Sequence, residues 1–283
     1  MSTQAALSTA EHARSRLARA AVVGLVAGFL SGLFGVGGGI LIVPALVLTM
    51  AMDQRLAHGT SLAAVLPIAV SSTLGYALED KVDWPVAALL AGAAVGGALI
   101  GTHALHCLPQ RALAFAFAGV LTATAVRLLI DHSDAGGRAD LDVAAVVGLL
   151  VLGAASGILA GLLGVGGGII MVPAMVVLFG IPPAVAKGTS LAVIVPTSII
   201  GTWRNRRNGN ADIPIAVIVG LAGVVSAFVA SQVSVGMSET TSNVLFALLL
   251  IAVAARLLWQ LRGQRAQTRP PAGGGVTDAT GDL

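Results

Sequence analysis

Two glycine clusters hold the residue types best placed to do chemistry in this chain, and the chemistry they suit is the binding of an anion. The first reads Gly32-Leu33-Phe34-Gly35-Val36-Gly37-Gly38-Gly39-Ile40-Leu41-Ile42-Val43-Pro44. It returns as Gly161-Leu162-Leu163-Gly164-Val165-Gly166-Gly167-Gly168-Ile169-Ile170-Met171-Val172-Pro173, displaced by 129 residues (161 against 32). Both copies lie inside long apolar runs, where glycine clusters and prolines are the residues that break a helix. In hydrocarbon such a break is tolerated only where protein covers it or it lines a cavity. A new helix starting near Ile40 or Ile169 presents N–H groups and a partial positive charge, and together these attract a negative solute. The candidate binding residues are therefore Gly35, Gly37, Gly38, Gly39 and Pro44 in the first copy, and Gly164, Gly166, Gly167, Gly168 and Pro173 in the second. Paired interruptions at matching places in two halves are the best sequence pointer to a transporter binding site. The plain alternative is tight helix crossing, for which small residues also serve.

A second matched pair follows each cluster. His58-Gly59-Thr60-Ser61 corresponds to Lys187-Gly188-Thr189-Ser190 at the same displacement. Hydroxyls at the start of a helix ordinarily cap it. A basic residue there has the wrong sign for the helix dipole, and a bound anion removes that conflict. His58, Thr60, Ser61, Lys187, Thr189 and Ser190 thus join the candidate site, with snorkelling of Lys187 to headgroups as the alternative.

The remaining polar residues read as structure. Asp83 and Asp212 each stand two positions before a proline, an N-cap pattern. Arg127 and Arg256 end long segments, and Trp84, Trp203 and Trp259 sit where interface anchors belong. His103 and His106 have no carboxylate in their stretch, and Cys107 is the only cysteine, so neither a metal site nor an intrachain disulfide is expected. Gly35–Ile40 lacks the last glycine of a dinucleotide fingerprint, and Ala186-Lys187-Gly188-Thr189 lacks the glycine and hydroxyl placement of a phosphate-binding loop. No cofactor and no catalytic set are expected, so the chain does not read as an enzyme. The middle of every apolar segment lacks Asp and Glu, which disfavours coupling through a buried acid. That leaves downhill flux, coupling through His58, or ions held by backbone carbonyls.

The elements that position these residues are membrane helices. The chain is 56% hydrophobic and only 10% charged, with a mean hydropathy of +0.92, whereas soluble domains carry about a quarter charged residues. Alternating strands of the barrel type are absent, and 36 glycines suit close helix packing. The basic residues gather at segment ends without aromatic interleaving, so the partners expected are the bilayer and a small anion, not nucleic acid. Residues 1–17 read as a polar leader and 18–130 as a first membrane repeat, with segments near 18–34, 38–50, 58–78, 84–105 and 111–130. The apolar run after Arg14, Arg16 and Arg19 has no polar exit or cleavage site, so it reads as a retained segment and not a signal peptide. A charged linker at 131–142 leads to a second repeat, 143–260, with segments near 143–163, 167–180, 187–203, 213–231 and 242–259; a disordered tail over 261–283 is expected. Pro67 and Pro196, Asp83 and Asp212, and Arg127 and Arg256 all keep the 129-residue register, as a duplication requires. The fold expected is an all-α polytopic membrane protein of two homologous repeats, with about 8–10 membrane segments and two glycine-broken helices.

Orientation follows from Lys and Arg. Five crossings per half make the halves inverted. Four crossings, with the short glycine-side pieces re-entrant, make them parallel, and the basic count fits almost as well. One contrast favours inversion: Arg204-Asn205-Arg206-Arg207 corresponds to Gly75-Tyr76-Ala77-Leu78, followed by Glu79 and Asp80. Matched loops of opposite character belong on opposite sides.

The doubled Gly-x-Gly-Gly-Gly-x-x-x-x-Pro at Gly35–Pro44 and Gly164–Pro173, each followed at the same distance by Gly-Thr-Ser-Leu, resembles the sulfite exporter TauE/SafE family. The resemblance spans about residues 20–260. It implies an inner-membrane protein of about eight helices, built from two homologous halves, that moves sulfite, sulfonates or related small anions. The function expected is a secondary transporter exporting such anions by alternating access. A membrane scaffold and an intramembrane enzyme are the rivals. A polar, basic cavity between the repeats favours transport, and dry, filled packing there favours scaffold.

Overall fold

In the computed structural model, the structure describes residues 3–104, 119, 121–123, 125–126, 129–130, 142–163 and 167–267. Among these residues the regular elements are all helices: α1 (Thr3–Phe34), α2 (Gly39–Met50), α3 (Gln54–Ala77), α4 (Trp84–Ala104), α5 (Val143–Leu163), α6 (Gly168–Phe179), α7 (Pro183–Arg207), α8 (Ile213–Gly236) and α9 (Glu239–Gln267). Five of them are long and apolar enough to cross a bilayer, and α2, α6 and parts of α4 and α9 are shorter apolar pieces. The chain is an all-α polytopic membrane protein.

Helix ends follow the polar residues. Asp53 caps α3 by accepting from Arg55 N (3.1 Å), and Asp142 caps α5 by accepting from Ala145 N (2.7 Å). Asp83 Oδ1 accepts from Val86 N and Asp212 Oδ1 from Ile215 N, each at 3.2 Å, so both aspartates are the caps that their spacing predicts. Several boundaries differ from the sequence expectation, among them four at the ends of α1, α3, α7 and α9. The cap at Asp53 and the proline at the first position of α7 start those helices four residues before His58 and Lys187. The polar leader continues the helix back to Thr3, and α9 runs on to Gln267, because a helix need not stop where its apolar stretch does. Of the expected segment 111–130, the described positions are helical, and Leu121 and Ala125 are buried in the core.

Packing is set by small residues. Gly24, Gly28 and Gly32 of α1 lie against the carbonyls of Val219, Gly223 and Ala227, so α1 runs parallel to α8 with the backbones in contact. Gly153 and Gly157 of α5 meet the carbonyls of Leu90 and Ala94 of α4 in the same way. Helix α3 runs parallel to α8, with Ala64 beside Gly220 and Ile68 beside Gly223. Against α7 it runs antiparallel: Leu62 touches Gly201 near one end, and Tyr76 touches Gly188 near the other. The starts of α2, α3 and α4 (39, 54, 84) and of α6, α7 and α8 (168, 183, 213) stand 129 residues apart.

Two apolar cores result. One gathers Phe34, Val36, Leu90, Leu149, Met171, Met175 and Phe246; the other gathers Ile42, Leu46, Val65, Ile68, Tyr76, Leu191, Ile194 and Val219. The first glycine break carries the chain from one to the other, since Phe34 and Val36 belong to the first core and Ile42 and Val43 to the second.

Candidate functional site

Both expected interruptions border real helix ends. Helix α1 stops at Phe34, and Gly35, Gly37 and Gly38 adopt φ values of 71°, 82° and 69°. Only glycine takes that left-handed region without strain. Gly35 N still bonds Ser31 O (2.8 Å), the last link of α1, and Gly39 N bonds Gly37 O (2.8 Å) as the chain turns. Gly38 then opens α2, and Gly167 (φ 74°) opens α6, neither with a side chain capping its helix. Leu41 and Ile42 share the carbonyl of Gly38, and Ile170 and Met171 share that of Gly167. Gly164 and Gly166 lie outside the described residues. Pro44 and Pro173 sit inside α2 and α6, and as prolines they leave the Ile40 and Ile169 carbonyls without a helical donor.

The two interruptions meet. A Cβ at Gly168 would stand 2.9 Å from Gly35 O, 2.8 Å from Ser190 Oγ and 2.8 Å from Ile194 Cδ1. One at Gly35 would lie 2.6 Å from Lys187 Cα, and one at Gly37 would lie 2.9 Å from Ile194 and 3.5 Å from Val65. Ser190 Oγ is fully buried and has no hydrogen-bond partner among the described residues. Ser31 in α1 and Ser156 in α5, which border the first and second breaks, share that condition. An unsatisfied buried hydroxyl costs about 1–3 kcal/mol, and Ser72, Thr73, Ser198 and Thr202 share the condition elsewhere in the bundle, so only Ser190 is placed at the contact itself.

Beside this contact lies a polar cluster that sequence reasoning found only in part. Lys187 is 1% exposed, and it is the charged side chain that the described residues bury completely. Its Nζ donates to Ser242 Oγ (2.7 Å) and more weakly to Ser234 Oγ (3.5 Å), and lies 5.4 Å from the Phe246 ring centroid. Phe246 stacks on Phe34, centroids 6.1 Å apart. Ser234 Oγ donates to Leu33 O (3.0 Å), while Tyr76 OH donates to Gly32 O (2.8 Å) and lies 2.9 Å from Ser234 Oγ. The ammonium thus sits by the carbonyl end of α1, where the dipole favours a cation. It does not snorkel outward. Tyr76, the chain's single tyrosine, was the available signal for this cluster, since a lone phenol in an apolar run needs a buried partner. Ser234, Ser242 and Phe246 carry no such mark.

The Gly-Thr-Ser motifs divide. Ser190 belongs to the central contact. Thr60 and Thr189 instead accept from the backbone amides of Asp212 (2.9 Å) and Asp83 (3.0 Å), each reaching into the other half. Gly59 and Gly188 lie flat on the carbonyls of Asn210 and Lys81. These reciprocal contacts are at opposite ends of the bundle: Gly59 and Tyr76 are 17 residues apart on α3, roughly 25 Å at 1.5 Å per residue. Half-buried His58 and buried Lys187 therefore cannot grip one small anion together, although Ser61, beside Thr60, is also fully buried.

Hollows lie at the edges of this arrangement. One of about 210 Å³ is bordered by Phe34, Val36, Gly38, Ile40 and Leu249 and is apolar. One of about 380 Å³ lies under the α3–α4 turn, with Asp80, Asp83, Trp84, Phe179 and Val185 in its wall. Neither is basic, and the middle of the bundle between Gly37, Val65 and Ile194 is packed. Among the described residues no group of His, Cys, Asp and Glu could hold a metal ion. His106 and Cys107 lie outside them.

Comparison with known proteins agrees with this architecture. The family described as "Sulfite exporter TauE/SafE" matches residues 2–128 and 149–280. The chain is 27% identical over 263 residues to the "Probable membrane transporter protein YunE" of Bacillus subtilis, covering 84% of this chain and 96% of that one. It is 30% identical over 251 residues to a "Probable membrane transporter protein" of Xylella fastidiosa, covering 84% and 92%. A Methanocaldococcus jannaschii protein named "Probable membrane transporter protein MJ0441" is 29% identical over 220 residues, covering 71% and 79%. No solved structure matches. With doubly broken helices, a multi-pass bundle and a match along nearly its whole length, the chain belongs to the sulfite exporter TauE/SafE family of membrane transporters.

Proposed function

We propose that the chain is a secondary transporter that exports small anions, sulfur oxyanions or organosulfonates, across the cell inner membrane by alternating access between two inverted halves. The observation that carries this reading is the meeting of the two interrupted helices at Ser190, whose buried hydroxyl has no partner. Uncapped helix starts offer amides and positive potential to an anion, and the hydroxyl adds a donor without a partner among the described residues. The antiparallel run of α3 against α7, which occupy matching places in the 129-residue register, supports inversion. The Thr60–Asp212 and Thr189–Asp83 bonds then act as latches at the two ends, both closed here. Releasing one at a time exposes the centre to one side and then the other.

Uptake of radiolabelled sulfite, thiosulfate, sulfate and methanesulfonate into proteoliposomes tests the reading; transport of none of them contradicts it. Ser190→Ala gives a sharper result. Removing an unsatisfied hydroxyl leaves thermal stability unchanged or raises it by up to about 1 kcal/mol. Losing a donor to the anion raises KM by about tenfold. A stabilised variant with wild-type KM would place the anion elsewhere.

The packing between Gly37, Val65 and Ile194, and edge hollows without basic lining, favour the rival reading, a scaffold without transport. Against it stand Lys187 and the unpartnered hydroxyls, since a scaffold gains nothing by burying polar groups in hydrocarbon. An intramembrane enzyme has less support: the hydroxyl–amine pair that the described residues bring together, Ser242 with Lys187 (2.7 Å), borders neither of the two hollows.

A further inference from the structure

Resting on the anion-transport reading, we propose that Lys187 is the coupling group of the cycle, carrying one proton across the membrane with each anion, so that the chain is an anion–proton symporter. Lys187 Nζ is enclosed by oxygens and a ring: Ser242 and Ser234 hydroxyls within 3.5 Å, and Phe246 over it. No carboxylate pairs with it among the described residues. A buried charge without a partner is the costliest state a membrane helix can hold. Two states avoid it. In one the ammonium neutralises a bound anion; in the other the carrier is empty and the amine is neutral.

The neighbours serve both states. Toward an ammonium, Ser242 and Ser234 act as acceptors, as they do here. Toward a neutral amine, the Ser242 hydroxyl rotates and donates to the nitrogen lone pair without any change in spacing. Gly35 lies on Lys187 Cα and Cβ, so movement of the broken helix reaches this residue directly. When the loaded site opens and the anion leaves, the ammonium gives its proton to water and keeps the nitrogen lone pair. The empty carrier returns, and water on the other side restores the proton. No other bond is made or broken. Net flux then follows the product of anion and proton concentrations, outward wherever that product is larger inside.

Among the described residues, the titratable and charged groups facing Lys187 are few. Tyr76 of α3 reaches it through Ser234, and the neighbouring Gly188 and Thr189 contact Lys81 and Asp83 through backbone atoms. Helix α8 contributes Ser234, and α9 contributes Ser242 and Phe246; Glu239 is the first residue of α9, three positions before Ser242 in the sequence. Helix α1 offers only carbonyls.

The test uses the full-length chain in liposomes, with methanesulfonate and sulfite as probes, a trapped pH dye and the potential clamped. Methanesulfonate keeps one charge over the working pH range, so a pH effect on its flux belongs to the protein. Wild type should acidify the lumen by one proton per methanesulfonate taken up, at a rate independent of the clamped potential. Lys187→Arg, which stays charged, should keep anion exchange between the two sides while net uptake driven by a pH gradient falls by about tenfold or more. Lys187→Gln should bring no protons in, whereas Glu239→Gln should couple as wild type does. Thermal midpoints of the variants separate unfolding from uncoupling. Wild-type uptake without proton entry, or proton-coupled uptake by Lys187→Gln, overturns the proposal alone. Failure of wild type to move either probe overturns the transport reading beneath it.

Discussion

Gly188→Val, and equally Gly59→Val, is expected to keep the two halves from closing on each other. A Cβ at Gly188 would run into the carbonyl of Lys81 and stand 2.9 Å from Tyr76 Cβ. At Gly59 it would meet the carbonyl of Asn210 and stand 2.9 Å from Asn205 Cβ. Backbone atoms cannot swing aside as a flexible side chain can, so the helices must separate. Separation also breaks the Thr189–Asp83 or Thr60–Asp212 bond one residue away. Overpacking and the lost bond together should cost about 3 kcal/mol, read as a lowered thermal midpoint and a poorly monodisperse protein in detergent. Gly92→Ala is the matched control. Nothing lies within 4 Å of a Cβ there, so that variant should be as stable as wild type or slightly more so. A Gly188→Val protein of unchanged midpoint would mean that the close contact is dispensable.

Gly38→Val and Gly167→Val should abolish transport while leaving insertion into the membrane intact. Both positions have φ near 70°, a region that a β-branched residue occupies only with strain of about 1–3 kcal/mol. A Cβ at Gly38 would stand 2.8 Å from the Ala27 carbonyl, and one at Gly167 would stand 3.0 Å from that of Ser156. The strain is relieved by turning the first residues of α2 or α6 away from their present line, which re-aims the amides proposed to meet the anion. A misplacement of about 1 Å at a binding centre can cost roughly a hundredfold in rate, and flux should fall by that order. Insertion depends on the hydropathy of the long helices, which these changes leave alone. Membrane-fraction yield and proteoliposome uptake, measured on the same preparations, separate the two effects. Undiminished uptake contradicts the site assignment.

Much of this architecture was legible in the chain because hydrocarbon makes the rules strict. Apolar runs place the helices, Asp83 and Asp212 mark two of their starts, and the glycine clusters mark the interruptions. Boundaries that rest on caps were legible less well: α3 and α7 begin at Gln54 and Pro183 because Asp53 and the proline start them, and His58 and Lys187 fall a turn inside. That shift changes what Thr60 and Thr189 do. Read as caps or ligands, they accept amides from across the bundle, a contact between residues 106 and 152 positions apart that periodicity cannot show. Likewise, Lys187 was visible as a basic residue in an apolar context, while its partners Ser234 and Ser242 look like any other helix hydroxyls. What separates a packing glycine from a proposed site glycine is its neighbour. Gly28 presses on Gly223, whereas Gly168 faces an unpartnered serine.

The most direct measurement is a structure of the protein with selenite, the heavier analogue of sulfite, located by its anomalous signal. Bound selenium within hydrogen-bonding reach of Ser190 Oγ and the first amides of α6, with occupancy reduced in Ser190→Ala at subsaturating selenite, is the expected result. Selenium seated at the acidic-walled hollow by Asp80 and Asp83, or found nowhere in the bundle at saturating concentration while transport persists, contradicts anion binding at the broken helix ends.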